Sequence, residues 1–260
     1  MHSPTKAHTT RPVILVTAGS AGLGAAVSRL FAKNGYRVVV NYAHNSQRAT
    51  ELVKELSATT NPTDADGKNY IAIQADLGAK SDIKRLVEET VSAMGRLDVV
   101  MSNGGWTRFT DMSSLDDNVN DEDWDRAYAM NVKSHLWLLH AARPALDESS
   151  GSFITTASTA GVSNSGSSLA YSVAKAAQIH MAKGLARMVG PRIRVNTVSP
   201  GLLLTEWAER FTDEQKEAHR QKTALQRFVQ LEDVAAQVLT LAQSSSTTGV
   251  NVVIDSGFII

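Results

Sequence analysis

The chain has 260 residues, of which 43% are hydrophobic and 20% charged, an ordinary composition for a globular protein. Lys plus Arg and Asp plus Glu both number 26, so the formal net charge is zero and the basic excess of nucleic-acid binders is missing. The lack of cysteine excludes disulfides and cysteine-based zinc sites. No apolar run reaches the roughly 18 residues of a membrane helix. We therefore expect a cytoplasmic protein without metal, membrane or nucleic-acid partners.

The chain is predicted to form one domain. Residues 1–10 contain no apolar core and are expected to be a flexible N-terminal tail. Residues 11–260 carry no Pro/Gly/Ser-rich linker, and single α/β domains of about 250 residues are common. The polar stretch 59–68, which includes Pro62 and Gly67, is expected to be a surface loop within this domain.

Short runs of β-branched and aliphatic residues alternate along the chain with stretches of helical periodicity. Strands are predicted over 13–17, 36–41, 70–75, 97–102, 152–156, 193–198 and 250–254. Helical periodicity after the first strand predicts a helix that ends at Gly35. A second helix, which includes Leu52 and Leu56, is predicted after the second strand. Further helices are predicted over 83–94, about 121–142, 170–188 and 231–242, and Asp121 is a candidate cap for the long fourth helix.

Apolar strands that alternate with helices indicate a parallel sheet covered on both faces. With right-handed crossovers, the predicted fold is α/β: a single-domain Rossmann-type doubly wound parallel sheet of about seven strands with helices on both faces. Ligands of such sheets bind beyond the carboxyl ends of the strands, where the strand order reverses. The residues that follow each strand are therefore the candidate functional residues.

A glycine-rich turn follows the first strand and opens the first helix, with the sequence Thr-Ala-Gly-Ser-Ala-Gly-Leu-Gly over 17–24. Glycines let the backbone approach a pyrophosphate, and the helix N-terminus offers free N–H groups. A turn of this kind can also be merely a tight strand–helix connection, but its position favours a dinucleotide site. The candidate cofactor contacts here are Gly19, Ser20, Gly22, Leu23 and Gly24.

A possible acid–base pair lies in the helix predicted over 170–188. Tyr171 and Lys175 are four residues apart and share one helix face. A free phenol has a pKa of about 10, which a neighbouring ammonium lowers by favouring the phenolate. Ser158 follows the fifth strand, and Asn131 is a polar residue on the core-facing stripe of the fourth helix. The four side chains together predict general acid–base catalysis.

These motifs resemble those of the short-chain dehydrogenase/reductase family. The family's T-G-x-x-x-G-x-G turn corresponds to 17–24, its N-N-A-G turn to 102–105 and its Y-x-x-x-K to 171–175. Its P-G-x-x-x-T corresponds to 200–205 and its D-G-G ending to 255–257, so the resemblance runs from about 13 to 258. The chain departs from these motifs at Ala18, Ser102, Gly104 and Ser256. If position 18 requires a positive φ, Ala18 carries a steric cost that Gly does not.

The resemblance implies a role for each catalytic candidate. Tyr171 is expected to exchange a proton with the substrate oxygen while a nicotinamide carries the hydride. Lys175 is expected to bind the nicotinamide ribose and, together with the positive charge of an oxidised nicotinamide, to lower the pKa of Tyr171. Ser158 is expected to orient the substrate oxygen, and Asn131 to support a water relay to Lys175. Further cofactor contacts implied by the resemblance are Asp76, Leu77, Asn103, Gly104, Tyr171, Lys175, Pro200, Gly201, Leu203 and Thr205.

The cofactor is predicted to be NADP(H) rather than NAD(H). NAD enzymes usually place an acidic residue at the end of the second strand, where it binds the ribose 2′-OH. This chain has the neutral Asn41 there and donors after it, a pattern similar to NADPH-preferring carbonyl reductases. An acidic residue at Asn41 is accordingly expected to shift the preference toward NADH. The candidate contacts in this loop are Asn41, Tyr42, His44, Asn45 and Ser46.

Residues 202–228, here called the lid segment, correspond to the mobile lid of family members and are rich in apolar side chains. They suggest a pocket for a hydrophobic or cyclic ketone or secondary alcohol. Packing into the core or a subunit contact explains the same residues equally well. The candidate substrate contacts are Trp106, Leu202, Trp207 and Phe211. The apolar ending 258–260 fits a buried interface, and the resemblance implies a homo-oligomer, specifically a tetramer.

Three functions remain open on the sequence alone. The first is an NADP-dependent carbonyl reductase or alcohol dehydrogenase acting on CH–OH groups. The second is a 3-oxoacyl-type reductase acting on carrier-bound substrates, although no clear basic docking patch is seen. The third is a non-redox dinucleotide-binding protein or cyclase on the same fold, which Ala18 favours and the complete catalytic set disfavours.

Overall fold

The computed structural model describes residues 11–59 and 69–260. The predictions made for 1–10 and for 60–68 lie outside these ranges. The strands, labelled in chain order, are β1 (Val13–Val16), β2 (Arg37–Tyr42), β3 (Tyr70–Gln74), β4 (Val99–Ser102), β5 (Ser152–Thr156), β6 (Arg194–Pro200) and β7 (Asn251–Ile254). Each predicted strand is present within one or two residues of its predicted ends.

All seven strands pair in parallel in one sheet of order β3-β2-β1-β4-β5-β6-β7. The order reverses between β1 and β4, whose Ile14 and Val99 are partners in the ladder. The predicted doubly wound parallel sheet is therefore confirmed. The reversal opens a crevice beyond the carboxyl ends of β1 and β4, where a ligand is expected to bind.

Helices cover both faces of the sheet. They are α1 (Gly22–Lys33), α2 (Ser46–Ala58), α3 (Lys80–Met94), α4 (Asp121–Tyr128), α5 (Ser134–Ser149), α6 (Leu169–Val189), α7 (Asp213–Lys222) and α8 (Leu231–Gln243). One buried apolar cluster joins the sheet to α3, α5 and α6, and a second joins it to α1, α2 and α8. The central strands β1 and β4 are buried on both faces, so their residues are apolar in succession rather than alternately, whereas the edge strands β3 and β7 are only partly buried.

The long fourth helix differs from its prediction over 121–142. A π-type segment, Ala129–Lys133, separates α4 from α5, and the helical course continues to Ser149 through Pro144. The prediction of Asp121 as the cap is wrong by one residue, since the Asn120 side chain accepts from the Asp123 N–H. The π-type segment holds the buried Asn131, and such segments are frequent at functional sites.

The lid segment contains a short turn, Glu206–Arg210, and the helix α7, neither of which was predicted from periodicity. Helix α7 buries none of its residues, so it has no apolar stripe to detect. Its start is nevertheless encoded as a capping box, in which Thr212 and Gln215 satisfy each other's backbone N–H groups.

In the described ranges, no helix is both long and apolar enough to cross a membrane. Nor do three or more potential ligand side chains gather there as a metal site.

Candidate active site

A cleft of about 660 Å³ lies beyond the carboxyl ends of the central strands. Its floor is formed by the residues after β1, β4 and β5, and its outer wall by the lid segment. The sequence-predicted residues that line it are Gly22, Leu23, Asn103, Ser158, Tyr171, Lys175, Pro200, Gly201, Leu202, Leu203, Thr205, Trp207 and Phe211. The structure therefore brings three of the four catalytic candidates into one cavity with the glycine-rich turn.

The turn after β1 is held by long-range hydrogen bonds. The Ala18 N–H donates to the Asn41 side chain at 3.1 Å, and the Gly19 N–H donates to the Asn41 carbonyl at 2.8 Å. Ala18 has a φ of +47°, the left-handed region in which a Cβ is sterically costly. The position thus requires the conformation that the family glycine adopts readily, and the chain meets that requirement with alanine.

The first turn of α1 is suited to an anion. Its cap residue, Ala21, provides no side-chain hydrogen bond, and no acidic residue lies in the first turn. Ala21, Gly22 and Leu23 all line the cleft, so the N-terminal backbone groups of α1 are close to it. A helix N-terminus of this kind binds phosphate through its free N–H groups and its dipole. The residues present therefore fit the diphosphate of a nicotinamide dinucleotide.

Asn41 does not occupy the place expected of a cofactor-selecting residue. Its side chain is 1% exposed, and its amide N–H groups donate to the carbonyls of Tyr42, Ile73 and Ala75. Its amide oxygen holds the Ala18 N–H, as described above. The expectation that Asn41 faces the cofactor ribose is therefore corrected: Asn41 ties β1, β2 and β3 together. Tyr42 is half-buried, while His44, Asn45 and Ser46 are exposed and remain free to meet a ligand.

We expect Asn41→Asp to lower the free energy of unfolding by about 3 kcal/mol, because a buried carboxylate would face carbonyl oxygens that now accept hydrogen bonds. Urea denaturation monitored by circular dichroism measures this change. Asn45→Asp is the matched control, since Asn45 is exposed and Asp caps a helix as well as Asn does. Equal stability of the two variants would refute the structural role of Asn41.

The end of β4 is joined to its neighbours on both sides. The Thr17 hydroxyl accepts from the Asn103 N–H at 2.8 Å, and the Asn103 side chain accepts from the Thr156 hydroxyl at 2.9 Å. Gly104 replaces the alanine of the family motif, and a Cβ built there would lie 2.2 Å from Cδ1 of Leu77. Leu77 therefore fills the space that an alanine methyl would need. Asp76, next to it, is exposed and bonds the Gly78 N–H.

Ser102, the other departure in this motif, forms a buried pair with His135 on α5. The Ser102 hydroxyl lies 2.6 Å from Nδ1 of His135. The pKa of His135 is lowered well below its ordinary value because the ring is buried and Lys175 is near, so the imidazole is neutral. Composition and spacing identified His135 only as an ordinary histidine, and nothing local in the sequence indicates its position beside the catalytic candidates.

Helix α6 and the turn after β5 place Tyr171 beside Ser158. The Ser168 side chain caps α6 by accepting from the Tyr171 N–H at 3.2 Å. The turn packs directly on the helix, since a Cβ on Gly161 would lie 2.7 Å from the Lys175 carbonyl carbon. This close approach brings the Ser158 and Tyr171 side chains into hydrogen-bonding contact. Both residues line the cleft.

Lys175 is buried and donates hydrogen bonds to neutral groups. Its side-chain Nζ donates to the Thr156 carbonyl at 2.8 Å and to Oε1 of Gln178 at 3.0 Å. Gln178 is fully buried and also donates to the Thr156 carbonyl, so it fixes the lysine head group. Sequence analysis did not identify Gln178; its spacing of three residues from Lys175 is the one signal that could have indicated it.

Burial shifts the pKa of both members of the acid–base pair. Desolvation lowers the pKa of Lys175 from 10.5 to about 7. Desolvation raises the pKa of Tyr171 from 10.0 to about 12, against the opposing hydrogen bond from Ser158. The Lys175 Nζ lies 5.6 Å from the centre of the Tyr171 ring. In the cofactor-free protein the ammonium alone therefore does not lower the Tyr171 pKa; the prediction combined it with the positive charge of an oxidised nicotinamide and stays a prediction.

Asn131 lies behind the cleft wall. A Cβ built on Gly105 would lie 2.9 Å from Oδ1 of Asn131 and 3.5 Å from Nζ of Lys175. The Asn131 and Lys175 head groups therefore both lie next to the Gly105 backbone. The Asn131 amide exchanges hydrogen bonds with the Trp106 backbone at 3.1 and 2.8 Å. Asn131 thereby fixes the course of the chain after β4. Its side chain is fully buried.

The substrate candidates divide between two places. Leu202, Trp207 and Phe211 line the cleft, whereas Trp106 lies in a neighbouring hollow beneath Arg126. Of the apolar ending, Phe258 lines the cleft and stacks on His219 of α7 at 4.3 Å between ring centres. Ile260 is 97% exposed in the single chain. The expectation that 258–260 is buried in a subunit interface stays a prediction. Gly19, Ser20 and Gly24 complete the turn without lining the cleft.

Comparison with known proteins assigns the chain to a family. A family model described as enoyl-(acyl carrier protein) reductase matches residues 17–259. A Streptomyces violaceoruber protein, named as a ketoacyl reductase of the granaticin polyketide synthase, is 37% identical over 249 residues, 95% of each chain. The 3-oxoacyl-[acyl-carrier-protein] reductase FabG of Staphylococcus aureus is 32% identical over 247 residues, 94% of this chain and 96% of its own.

Solved structures agree. A short-chain dehydrogenase from Burkholderia cenocepacia in complex with NADP has a TM-score of 0.85 and 32% identity, covering 96% of this chain and 99% of its own. A 3-ketoacyl-(acyl-carrier-protein) reductase from Brucella melitensis complexed with NADH shares the fold, with a TM-score of 0.83 and 24% identity over 96% and 99% of the chains. The protein is thus an oxidoreductase, and it belongs to the short-chain dehydrogenase/reductase family.

Proposed function

We propose that the protein is an NADPH-dependent reductase of a hydrophobic or cyclic ketone, with Tyr171 as the general acid. The observation that carries this proposal is the common cleft, in which Ser158, Tyr171 and Lys175 lie with the glycine-rich turn and the apolar lid residues. A bound nicotinamide supplies the hydride in this family. The side chains of the protein supply the proton and the orientation of the substrate.

The roles follow from the contacts. Tyr171, with a pKa of about 12, is protonated at neutral pH and can donate its proton to a carbonyl oxygen that gains charge. Ser158 contacts the Tyr171 hydroxyl and can donate a second hydrogen bond to the same oxygen. Lys175, with a pKa of about 7, can take and return protons near neutrality and is positioned by Gln178. Asn131 supports this wall of the cleft from behind.

The preference for NADP(H) over NAD(H) is part of the proposal. The loop from Asn41 to Arg48 contains no acidic residue that would repel a 2′-phosphate, and it contains Arg48 and His44. The proposed contacts are those predicted from the sequence, with Asn41 acting through Ala18 instead of through the cofactor. The NADP bound in the Burkholderia cenocepacia relative supports this preference.

Titration of the purified protein with NADPH and NADH, followed by fluorescence, tests the proposal. We expect NADPH to bind at least about tenfold more tightly, the factor that one good charge-assisted contact provides. Oxidation of NADPH with a panel of hydrophobic ketones then tests the chemistry. Failure of both cofactors to bind would show that Ala18 has disabled the turn, and a non-redox function would replace this one.

A second candidate is reduction of a 3-oxoacyl thioester. It is favoured by the names of the Streptomyces and Staphylococcus relatives and by the description of the matching family model. The same side chains would act on the 3-oxo group in the same way. Turnover of a 3-oxoacyl thioester faster than of simple ketones would favour this candidate.

We also propose that the protein is a homo-oligomer, specifically a tetramer. Large apolar side chains are exposed on its surface, including Met188 at 74% and Ile260 at 97%. Burying them between copies would remove apolar area from water. A cytoplasmic location remains a prediction.

A further inference from the structure

An ion pair joins two segments that flank the cofactor side of the cleft. Arg48, in the first turn of α2, contacts the carboxylate of Glu206 in the lid segment. The two residues are 158 positions apart in the chain, so this contact is made by the fold. Glu206 lines the cleft, while Arg48 lies at the start of α2, directly after the loop that follows β2. The pair therefore connects the lid segment to the loop in which a 2′-phosphate is expected.

The surroundings of Arg48 are prepared for an anion. Its Nε is buried and has no hydrogen-bond partner among the described residues. Helix α2 has no acidic residue in its first turn, and its cap Asn45 fixes the Arg48 backbone at 2.9 Å. An arginine beside the end of the second strand is the usual ligand of a 2′-phosphate in dinucleotide folds. The carboxylate of Glu206 is thus the anion that contacts Arg48 in the cofactor-free protein.

A second contact brings the same part of the lid segment over the glycine-rich turn. A Cβ built on Gly22 would lie 3.1 Å from Cγ2 of Thr205, the residue next to Glu206. Gly22 opens α1, where the diphosphate of a dinucleotide is expected. Thr205, itself a candidate cofactor contact, thus lies beside that turn. The Arg48–Glu206 pair therefore bears on the part of the lid segment that borders the cofactor site.

Resting on the NADP(H) function proposed above, we propose that Glu206 is a specificity-determining latch: it masks Arg48 in the cofactor-free protein and yields Arg48 to a 2′-phosphate. A phosphate monoester carries about 1.5 to 2 negative charges near neutral pH, against one on a carboxylate. A phosphate also has more oxygens with which to accept from the arginine fork. One of them can accept from the Arg48 Nε, which has no hydrogen-bond partner among the residues that the structure describes. NADP(H) can therefore replace Glu206 on Arg48 and free the lid segment. NAD(H), which lacks the phosphate, has no group that can replace Glu206 on Arg48.

The pair is open to exchange because it is partly solvated. The Arg48 side chain is 35% exposed and that of Glu206 is 66% exposed. Exposed ion pairs contribute little to stability, so the latch can be broken by a better ligand without disturbing the fold. The same exposure means that substitutions at either position should leave the protein folded.

Binding of NADP⁺ and NAD⁺ to Glu206→Gln, measured by isothermal titration calorimetry, tests the latch. We expect the ratio of NADP⁺ to NAD⁺ affinity to rise about fivefold, because Arg48 no longer has a competing carboxylate. Glu209→Gln is the matched control, since Glu209 lies in the same turn and is exposed, and it takes part in neither the Arg48 contact nor the Gly22 contact. The affinity ratio of Glu209→Gln should equal that of the wild type. Arg48→Ala should lower the ratio by about tenfold or more.

Hydrogen exchange of the cofactor-free proteins gives a readout that is independent of affinity. Amides of 205–210 should exchange faster in Glu206→Gln than in the wild type or in Glu209→Gln. Unchanged affinity ratios and unchanged exchange in Glu206→Gln would overturn the latch while leaving the proposed function intact. Failure of the wild type to bind either cofactor would overturn both.

Discussion

Replacing Tyr171 with Phe is expected to reduce turnover by about three orders of magnitude while changing cofactor affinity by less than about twofold, because general acid catalysis contributes roughly 10²–10⁴ in rate. The substitution removes one hydroxyl and keeps the ring. The Tyr171 ring packs against Gly166, since a Cβ built on Gly166 would lie 3.4 Å from Cδ1 of Tyr171. Keeping the ring therefore preserves the shape of the cleft floor. Steady-state kinetics and a cofactor titration on the same preparation measure the two effects separately.

Tyr128→Phe provides the matched control. Tyr128 is a partly buried tyrosine at the end of α4 that packs on Ala170 and Ala174 of α6 without lining the cleft. Its loss of a hydroxyl should leave turnover close to that of the wild type. Near-wild-type turnover in Tyr171→Phe would show that another group donates the proton. A joint loss of turnover and cofactor binding would show that the substitution disturbs the site itself.

The protonation of Tyr171 bears on the direction of the reaction. Burial keeps the phenol protonated, which suits donation to a ketone. Removal of a proton from an alcohol would first require the phenolate, and the nearby Lys175 is itself only partly charged near neutral pH. In the protein as it stands the side chains favour reduction, and a positive charge brought by an oxidised cofactor would be needed to favour the reverse.

The sequence was sufficient to predict the sheet and to place three of the four catalytic candidates in one cleft, while their catalytic roles stay predictions. Strand residues buried on both faces form continuous apolar runs, and these were located within one or two residues. Ser158, Tyr171 and Lys175 follow strands or share a helix face, so parallel-sheet geometry alone brings them to one edge. Their meeting in the cleft follows from the strand order, which reverses between β1 and β4.

Features that depend on long-range contacts could not be predicted. Asn41 was assigned to the cofactor because of its place at a strand end, whereas its side chain serves the backbone of three strands. Ser102 and Gly104 differ from the family motif, and the contacts that explain them are made with distant residues. Ser102 pairs with His135, and Gly104 leaves space that Leu77 fills. The sequence pattern around a residue does not indicate which distant residue it will contact in the fold.

Replacing Lys175 with Met is expected to abolish most turnover and, at the same time, to raise the free energy of unfolding near pH 7 by about 2 kcal/mol. The pKa of Lys175 is 10.5 as a free group and about 7 in the folded protein. Each pH unit corresponds to roughly 1.4 kcal/mol, so burial of the charge costs the fold up to about 5 kcal/mol. Loss of the hydrogen bond to Gln178 offsets part of the gain.

The pH dependence has a definite sign. Between pH 7 and 10.5 the unfolded chain binds more protons at Lys175 than the folded protein does, so wild-type stability gains from this group as the pH rises through that window. Below about pH 7 the cost is fully present. Lys175→Met lacks this contribution, so its advantage over the wild type should shrink as the pH rises. Urea denaturation at pH values of about 7 and about 9 measures the difference.

Lys183→Met separates the effect of burial from that of losing a lysine. Lys183 lies on the same helix but is exposed, so its replacement should change stability little at either pH. A Lys175→Met protein that is less stable than the wild type near pH 7 would mean that its hydrogen bonds outweigh the cost of burying the ammonium. The expected outcome, a more stable and inactive protein, would instead identify Lys175 as a residue kept for chemistry at the expense of stability.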